Sequence, residues 1–394
     1  LIGDTPIDLA DTAAELAFEV EDPWSYRAPD RIPPPSHVGR QTLWITLLSA
    51  VVGAAAAIGV MQFMNDQPVA MTVIDRVDTQ IVTVDGTVTP AAAVAQRVLP
   101  SIVTVQVGLS DGTDFFITGS GSGVVLDTDG TLVTNEHVVG DAPAVRVVFA
   151  DGRTYDATTV GTDSLSDLAI IHIDAVGLSP IEIGSSEDMS IGDTAIAIGN
   201  PLGLAGGPSV TLGVLSAFGR RVQVTDTSEL FGMIQTDAPI TRGSSGGALV
   251  DSQGRLIGIT SAIGVSDVGA EGLGFAIPVE MMTRITQDIL EFGVARHAFL
   301  GITGSTHYER EDDGALAPAG VTVASIIADT AADQSDLAVG DILMSFDDEP
   351  VDDMDDLVVR LRFYRVGDTI TLHVLRAGAT TQVHLVLSER PENV

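Results

Sequence analysis

From Ser101 to Ile277 the chain is written in short apolar or alternating runs, and none is long enough for a core helix. Ser101–Gly108 and Val145–Phe149 alternate, and Leu168–Ile173 is apolar except at His172. Turn pairs such as Asp129-Gly130 and Asp151-Gly152 fall between the runs. Alternation sends successive side chains to opposite faces of a strand. Strands this short and closely spaced close into antiparallel barrels or sandwiches, so the spacing predicts a mainly β architecture. Two helices flank it: Ala91 to Leu99, and Val279 to Phe292 directly after Pro278, with proline at its first turn. A second unit starts at Arg296 and reads strand, loop, strand, short helix, strand, helix, strand, strand. No solenoid-type repeat is present.

Ahead of the strands lies a stretch of different character. Leu43 to Met64 is 22 residues without a charge. At about 1.5 Å per residue such a helix crosses a hydrocarbon core of about 30 Å. It is apolar all round, carries Trp44 at one edge and ends in Asn65-Asp66-Gln67-Pro68, which fits a transmembrane helix better than a core helix. The long polar segment before it argues against a cleaved signal peptide. Arg27, Arg31 and Arg40 precede the span and the next basic residue is Arg76, so residues 1–42 are expected in the cytoplasm and the remainder outside. The 1–42 tail, with Pro33-Pro34-Pro35, reads as largely disordered apart from a weak amphipathic pattern over Ile7 to Val20. Residues 65–90 read as a linker with β-prone pieces such as Gln80 to Val84.

Composition excludes several functions. Acidic residues number 54 against 19 basic ones, all arginine, for a net charge of −35. The DNA backbone repels such a chain. The acids are spread out, as solubility requires. Their densest run, from Asp347 to Asp356, includes a predicted helix start, where the helix dipole favours them. The absence of cysteine excludes disulfides, thiolate catalysis and cysteine-ligated zinc. Gly119-Ser120-Gly121-Ser122-Gly123 opens no helix and reads as part of a hairpin, not a phosphate loop. Asp127 to Gly130 reads as a turn, not a calcium loop. His172 is expected on the solvent side of its strand, and His373 and His384 have no second ligand at useful spacing. No metal or other cofactor is expected.

Three segments carry chemistry together. Leu132 to Val139 is a strand running into a turn that bears His137; Ser166 to Ile170 places Asp167 at the mouth of an apolar strand; Thr241 to Leu249 holds Ser245 in a glycine-rich turn before a strand. Each alone is an ordinary structural feature. In combination they supply a nucleophile, a base for its proton and a carboxylate to orient that base. Gly243 and Gly246 let the backbone turn so that the amides of Gly243 and Ser245 face one oxyanion.

The blocks VTNEHVV, SDLAIIHI, AIGNPLGL, IQTDAPITRGSSGGAL and GLGFAIP, in this order between residues 132 and 278, resemble the HtrA/Deg family of serine proteases, in its membrane-anchored bacterial form. The resemblance implies a chymotrypsin-like double β-barrel over residues 91–293, with the site between the lobes. It implies His137 as base, Asp167 as orienting acid and Ser245 as nucleophile, with an oxyanion hole among the amides of Gly243, Ser244 and Ser245. It places the activation loop at Ile240 to Ser244 and regulatory loops at Ala217 to Gly232 and Ala262 to Gly272. Ser244 stands where the family usually has asparagine, and the positions around Pro239 and Thr241 also differ; these alter the tuning of the loop and not the reaction. Residues 296–390 resemble a permuted bacterial PDZ domain of α+β type. Phe299-Leu300-Gly301-Ile302 matches its carboxylate-binding loop, and Val339-Gly340-Asp341 and Val366-Gly367-Asp368 match two strand starts. Leu357 and Leu361 either wall its groove or belong to its core. Asp336 stands where the family commonly has glycine.

The expected function is therefore a membrane-anchored, ATP-independent endopeptidase that degrades unfolded extracytoplasmic proteins. The PDZ domain would gate it by binding apolar C-termini, and the family implies a homotrimer. No acid lies between Ile240 and Ser245 to receive a basic side chain, which favours a small or medium aliphatic residue at P1. The alternative is a latent protease acting as a PDZ peptide sensor or chaperone-like binder. An α/β-hydrolase esterase is disfavoured, because the order of the three residues is reversed and no G-x-S-x-G elbow precedes a helix.

Overall fold

A computed structural model describes residues 89–111, 114–200, 207–225, 228–261, 273–311 and 314–391. The predicted tail 1–42, the membrane span 43–64 and the linker to residue 88 lie outside the described residues, as does the 262–272 regulatory loop. Among the described residues, no helix is long and apolar enough to cross a membrane.

Helix α1 (Pro90–Val98) starts with the Thr89 hydroxyl accepting from the Ala92 amide and buries Val94 and Val98. Strands β1 (Ile102–Ser110), β2 (Phe115–Val125) and β3 (Thr131–Thr134) follow. The single-turn helix α2 (Glu136–Val139) leads into β4 (Ala144–Phe149), β5 (Thr154–Asp163) and β6 (Leu168–Ile173). These strands close a barrel in the order β1-β2-β3-β6-β5-β4. A second barrel, ordered β10-β11-β12-β9-β8-β7, is built from β7 (Thr194–Gly199), β8 (Ser209–Thr225), β9 (Ser228–Thr236), β10 (Ala248–Val250), β11 (Leu256–Ser261) and β12 (Gly274–Pro278). Helix α3 (Val279–Phe292) then packs Met281, Met282, Ile285 and Ile289 against both barrels.

Alternation explains how one strand serves two cores. On β6, Leu168 and Ile170 join a cluster that lies between the barrels, while Ala169, Ile171 and Ile173 fill the interior of the first. His172 is exposed, as expected. The 217–232 segment is mostly strand, the far half of a long β8–β9 ribbon, where the resemblance had implied a loop.

The C-terminal unit contains β13 (Ala298–Phe299), β14 (Ile302–Arg310), β15 (Leu316–Ile326), β16 (Ile342–Phe346), β17 (Glu349–Pro350), helix α4 (Met354–Leu361), β18 (Thr369–Arg376), β19 (Ala379–Val386) and β20 (Ser388–Glu389). Its main sheet runs β14-β15-β16-β18-β19, so β14 is an edge strand, and β13 pairs with β20. The short helix expected between β15 and β16 is absent; residues 328–336 form turns. Local side-chain bonds explain this. Asp329 adopts φ 62°, its amide donates to Asp333, the Thr330 hydroxyl donates to Ile327 O at 2.6 Å, and the Ser335 hydroxyl donates to Ala332 O at 2.8 Å. Such bonds hold the backbone in turns at the expense of helix.

Candidate active site

His137 stands on α2, directly after β3, and meets Asp167 at the start of β6. The ring Nδ1 lies 2.8 Å from Asp167 Oδ1 and 2.9 Å from Oδ2, and the His137 backbone amide donates to Oδ1 at 3.1 Å. A carboxylate accepts, so the proton sits on Nδ1 and Nε2 is left as the basic nitrogen. Asp167 is buried and holds a left-handed conformation, φ 57°. Asparagine and aspartate tolerate this better than other residues. Its carbonyl is fixed from both sides by the Asn135 side-chain amide at 2.8 Å and the Glu136 amide at 3.1 Å. The neighbouring Glu136 carboxyl is pushed up by burial and by the Asp167 charge.

Ser245 is buried in the loop between β9 and β10. The loop is a pair of tight turns, closed by Ser244 N donating to Thr241 O at 2.9 Å and Gly247 N donating to Ser244 O at 3.0 Å. Gly243 and Gly246 take φ of 90° and 83°, a region closed to most side chains. A Cβ on Gly246 would also collide with Ser122 O and the Thr134 hydroxyl. Of the three amides expected at the oxyanion hole, that of Ser244 donates to Thr241 O.

The three segments converge across the barrel interface. Ser122 N donates to Ser245 O at 2.7 Å, and Ser122 O accepts from the Thr134 hydroxyl, three residues before His137, at 2.7 Å. From the second barrel, the Ser261 hydroxyl reaches Asp167 Oδ2 at 3.2 Å, beside Thr260, which pairs with Gly247. Sequence reasoning missed both Ser122 and Ser261; a hydroxyl inside a small-residue strand carries no signal until the partner strand is known. Among the described residues no cluster of three or more His, Cys, Asp or Glu could hold a metal.

In the C-terminal unit, Phe299, Leu300, Gly301 and Ile302 line a cavity of about 110 Å³ together with Met354, Leu357 and Leu361. Leu357 thus belongs to both the groove and the core. The Leu300 and Gly301 carbonyls are tied to Ala332 N and Ile327 N, each at 2.8 Å. His297 and Arg362, which the sequence reading did not single out, stand at the same cavity. His297 Nε2 lies 2.8 Å from Asp163 Oδ1, while Asp163 Oδ2 accepts from the Ser166 hydroxyl at 2.5 Å. Burial alone would raise the Asp163 carboxyl, but the His297 and Ser166 bonds hold it below its ordinary value. Burial lowers the Arg362 guanidinium to about 10.

Comparison with known proteins places both units in known families. A family model described as "Trypsin-like peptidase domain" matches residues 121–259, and one described as "PDZ domain" matches residues 298–387. The serine endoprotease DegS of Haemophilus influenzae is 32% identical over 302 residues, covering 75% of this chain and 86% of that protein. The chain belongs to the HtrA family of serine proteases. The periplasmic serine endoprotease DegP of Escherichia coli is 40% identical over 278 residues, covering 69% of this chain and 58% of DegP. The chain thus spans less than two thirds of DegP's length. Among solved structures, the HtrA-type protease AlgW with a tripeptide aligns at TM-score 0.62 and 33% identity, covering 76% of this chain and 97% of AlgW.

Proposed function

We propose that this HtrA-family chain is a membrane-anchored, ATP-independent serine endopeptidase that degrades unfolded extracytoplasmic proteins. The observation that carries the reading is the bidentate approach of Asp167 to His137 Nδ1, beside a Ser245 loop tied to the same two barrels. Ser245 attacks the scissile carbonyl while His137 takes its proton and returns it to the leaving amine. Asp167 holds the ring and stabilises its charge. The Gly243 and Ser245 amides hold the oxyanion; losing one such donor typically costs ~2.7–4 kcal/mol of transition-state stabilisation. Water then releases the acyl-enzyme.

The PDZ groove supports binding of a C-terminal peptide: its loop follows β13, its walls are apolar, and the β14 edge is unpaired in the sheet. Gating is supported by the Arg221 guanidinium, which bridges Glu229 on β9 and Asp355 on α4, the helix that walls the groove. Anchoring through residues 43–64 and trimer assembly complete the proposal, the former from the uncharged run, the latter from the family. The test is casein cleavage by the full chain in detergent, beside Ser245→Ala, with and without a peptide ending in an apolar residue. Cleavage should fall by at least about 10⁴-fold in the variant, and the peptide should stimulate the parent. Peptide binding without cleavage under any condition would replace this reading with that of a latent sensor. Recovery of the full-length chain in a soluble fraction, without cleavage near residue 65, would remove the anchor.

A further inference from the structure

The Gly119–Gly123 strand has a use beyond its place in the barrel. Ser122, fully buried at its centre, is bonded through every polar atom it has. Its amide donates to Ser245 O at 2.7 Å and its carbonyl accepts from the Thr134 hydroxyl at 2.7 Å. Its hydroxyl oxygen accepts from the Asn200 amide at 2.8 Å and lies 2.8 Å from Gly243 O. An amide can only donate and a carbonyl can only accept, so the single hydroxyl proton must point at Gly243 O. The flanking glycines permit this approach: a Cβ on Gly121 would collide with the Val138 side chain and crowd Ser245 O.

We propose that Ser122 is a positioning residue for the oxyanion amides. The peptide between Gly243 and Ser244 is gripped at both ends, its carbonyl by the Ser122 hydroxyl and its N–H by Thr241 O at 2.9 Å. The next peptide, which carries the Ser245 N–H, is gripped through Ser244 O by the Thr260 hydroxyl at 2.6 Å and Gly247 N at 3.0 Å. Gly243 has the least restricted backbone of any residue type, and the Ser122 hydroxyl is a first-barrel bond that fixes the plane that follows it. Releasing that plane frees rotation about the Gly243 backbone, and the preceding peptide, which carries the Gly243 N–H, can then turn away from the oxyanion. Ser122 thus pins a second-barrel loop from the first barrel, and it acts where charge develops, not where substrate is first held.

This inference rests on the protease reading, and its test separates the two. In the full chain, Ser122→Ala is compared with the parent and with Ser245→Ala on one chromogenic peptide. Parent cleavage with a dead Ser245→Ala establishes the protease independently. Ser122→Ala should then lower kcat by up to about 10²–10³-fold, the range for loss of one oxyanion donor, and by at least about tenfold, with KM changed less than about threefold. Affinity for a peptide boronic acid, whose adduct with Ser245 is tetrahedral, should fall by the same factor as kcat/KM. The affinity of uncleaved substrate, measured in a Ser245→Ala background with and without Ser122→Ala, should not change. The acidic limb of the kcat/KM profile should keep its midpoint, because His137 and Asp167 are untouched. A parent-like kcat, or equal losses of substrate and boronate affinity, overturns the proposal. If the alanine variant does not fold, Ser122→Cys carries the test, since it keeps the volume with a weaker donor. An intermediate kcat with matching boronate loss supports the pin, and a parent-like kcat overturns it.

Discussion

The two seams of the molecule differ in how much of their hold is apolar. Between the barrels, Ile102, Val124 and Leu168 from the first and Ile196, Ile198 and Ile259 from the second join Met282 and Ile285 of α3 in one buried cluster. The PDZ unit has a separate core, centred on Phe346, Leu357, Leu372 and Val374. Its seam with the protease is held by His297 on Asp163, by Arg284 Nε on Arg362 O at 3.1 Å, and by Arg221 on Asp355. A cleft of about 330 Å³, lined by Met189, Phe218, Val359 and Phe363 among others, opens within that seam. An apolar seam is packed to crystal-like density and cannot shift without exposing hydrocarbon. A polar seam can exchange partners with water, salt or protons at smaller expense. The His137, Asp167 and Ser245 segments straddle the first seam, and the cavity at Phe299–Ile302 lies beside the second. On the proposed function, preorganisation and regulation would be separated in space.

The largest expected effect comes from opening the apolar seam. Ile285 is fully buried, and Ile285→Ala should destabilise the protease unit by about 2–5 kcal/mol, read from denaturant midpoints. Activity should follow stability, because the barrels carry the His137 and Ser245 segments separately. A loss below about 1 kcal/mol would mean that the seam collapses around the cavity and is less rigid than its packing suggests.

The polar seam should respond next, and to pH. Asp163→Asn keeps the shape but removes the charge facing His297, Arg362 and Arg284, with Ser166 still in reach; about 1–3 kcal/mol is expected. The folded carboxyl titrates below its ordinary value of about 4, so its contribution is complete above about pH 4 and is lost as pH falls through the folded value. The parent should lose stability on that limb more steeply than Asp163→Asn. Parallel acid limbs would show that Asp163 is held equally well when neutral, and the seam would then be polar without being electrostatic.

How much of this was legible in the sequence follows from the same contrast. Periodicity places Leu168–Ile173 and Val145–Phe149 in strands, and hence the barrels, because burial on one face writes itself into every second residue. The His137–Asp167 pairing was legible because motif order and the required residue types pointed to it. The turns at 328–336 were not, since their mixture of alanine with polar residues also suits a short helix and the competing Thr330 and Ser335 bonds depend on where the chain goes next. Ser122, Ser261 and Asp163 were illegible for a related reason. Each acts through a partner more than ninety positions away in sequence: Gly243, Asp167 and His297 respectively.

The smallest effect should come from the exposed end of the polar seam. Arg221 and Asp355 are each about half exposed, and Arg221 keeps Glu229 as a second partner. An exposed pair of this kind contributes little to stability and is screened by salt. Arg221→Ala should therefore leave the thermal midpoint where it is. If the seam transmits groove occupancy to the β8–β9 ribbon, the variant should still shift the concentration of activating peptide needed for half-maximal casein cleavage, and added salt should mimic that shift in the parent. A change in peptide response with no change in melting would separate coupling from stability within one ion pair. A change in neither would leave the link between the units to the buried contacts of Asp163 with His297 and of Arg284 with Arg362, and the ribbon would then be a bystander to whatever the groove binds.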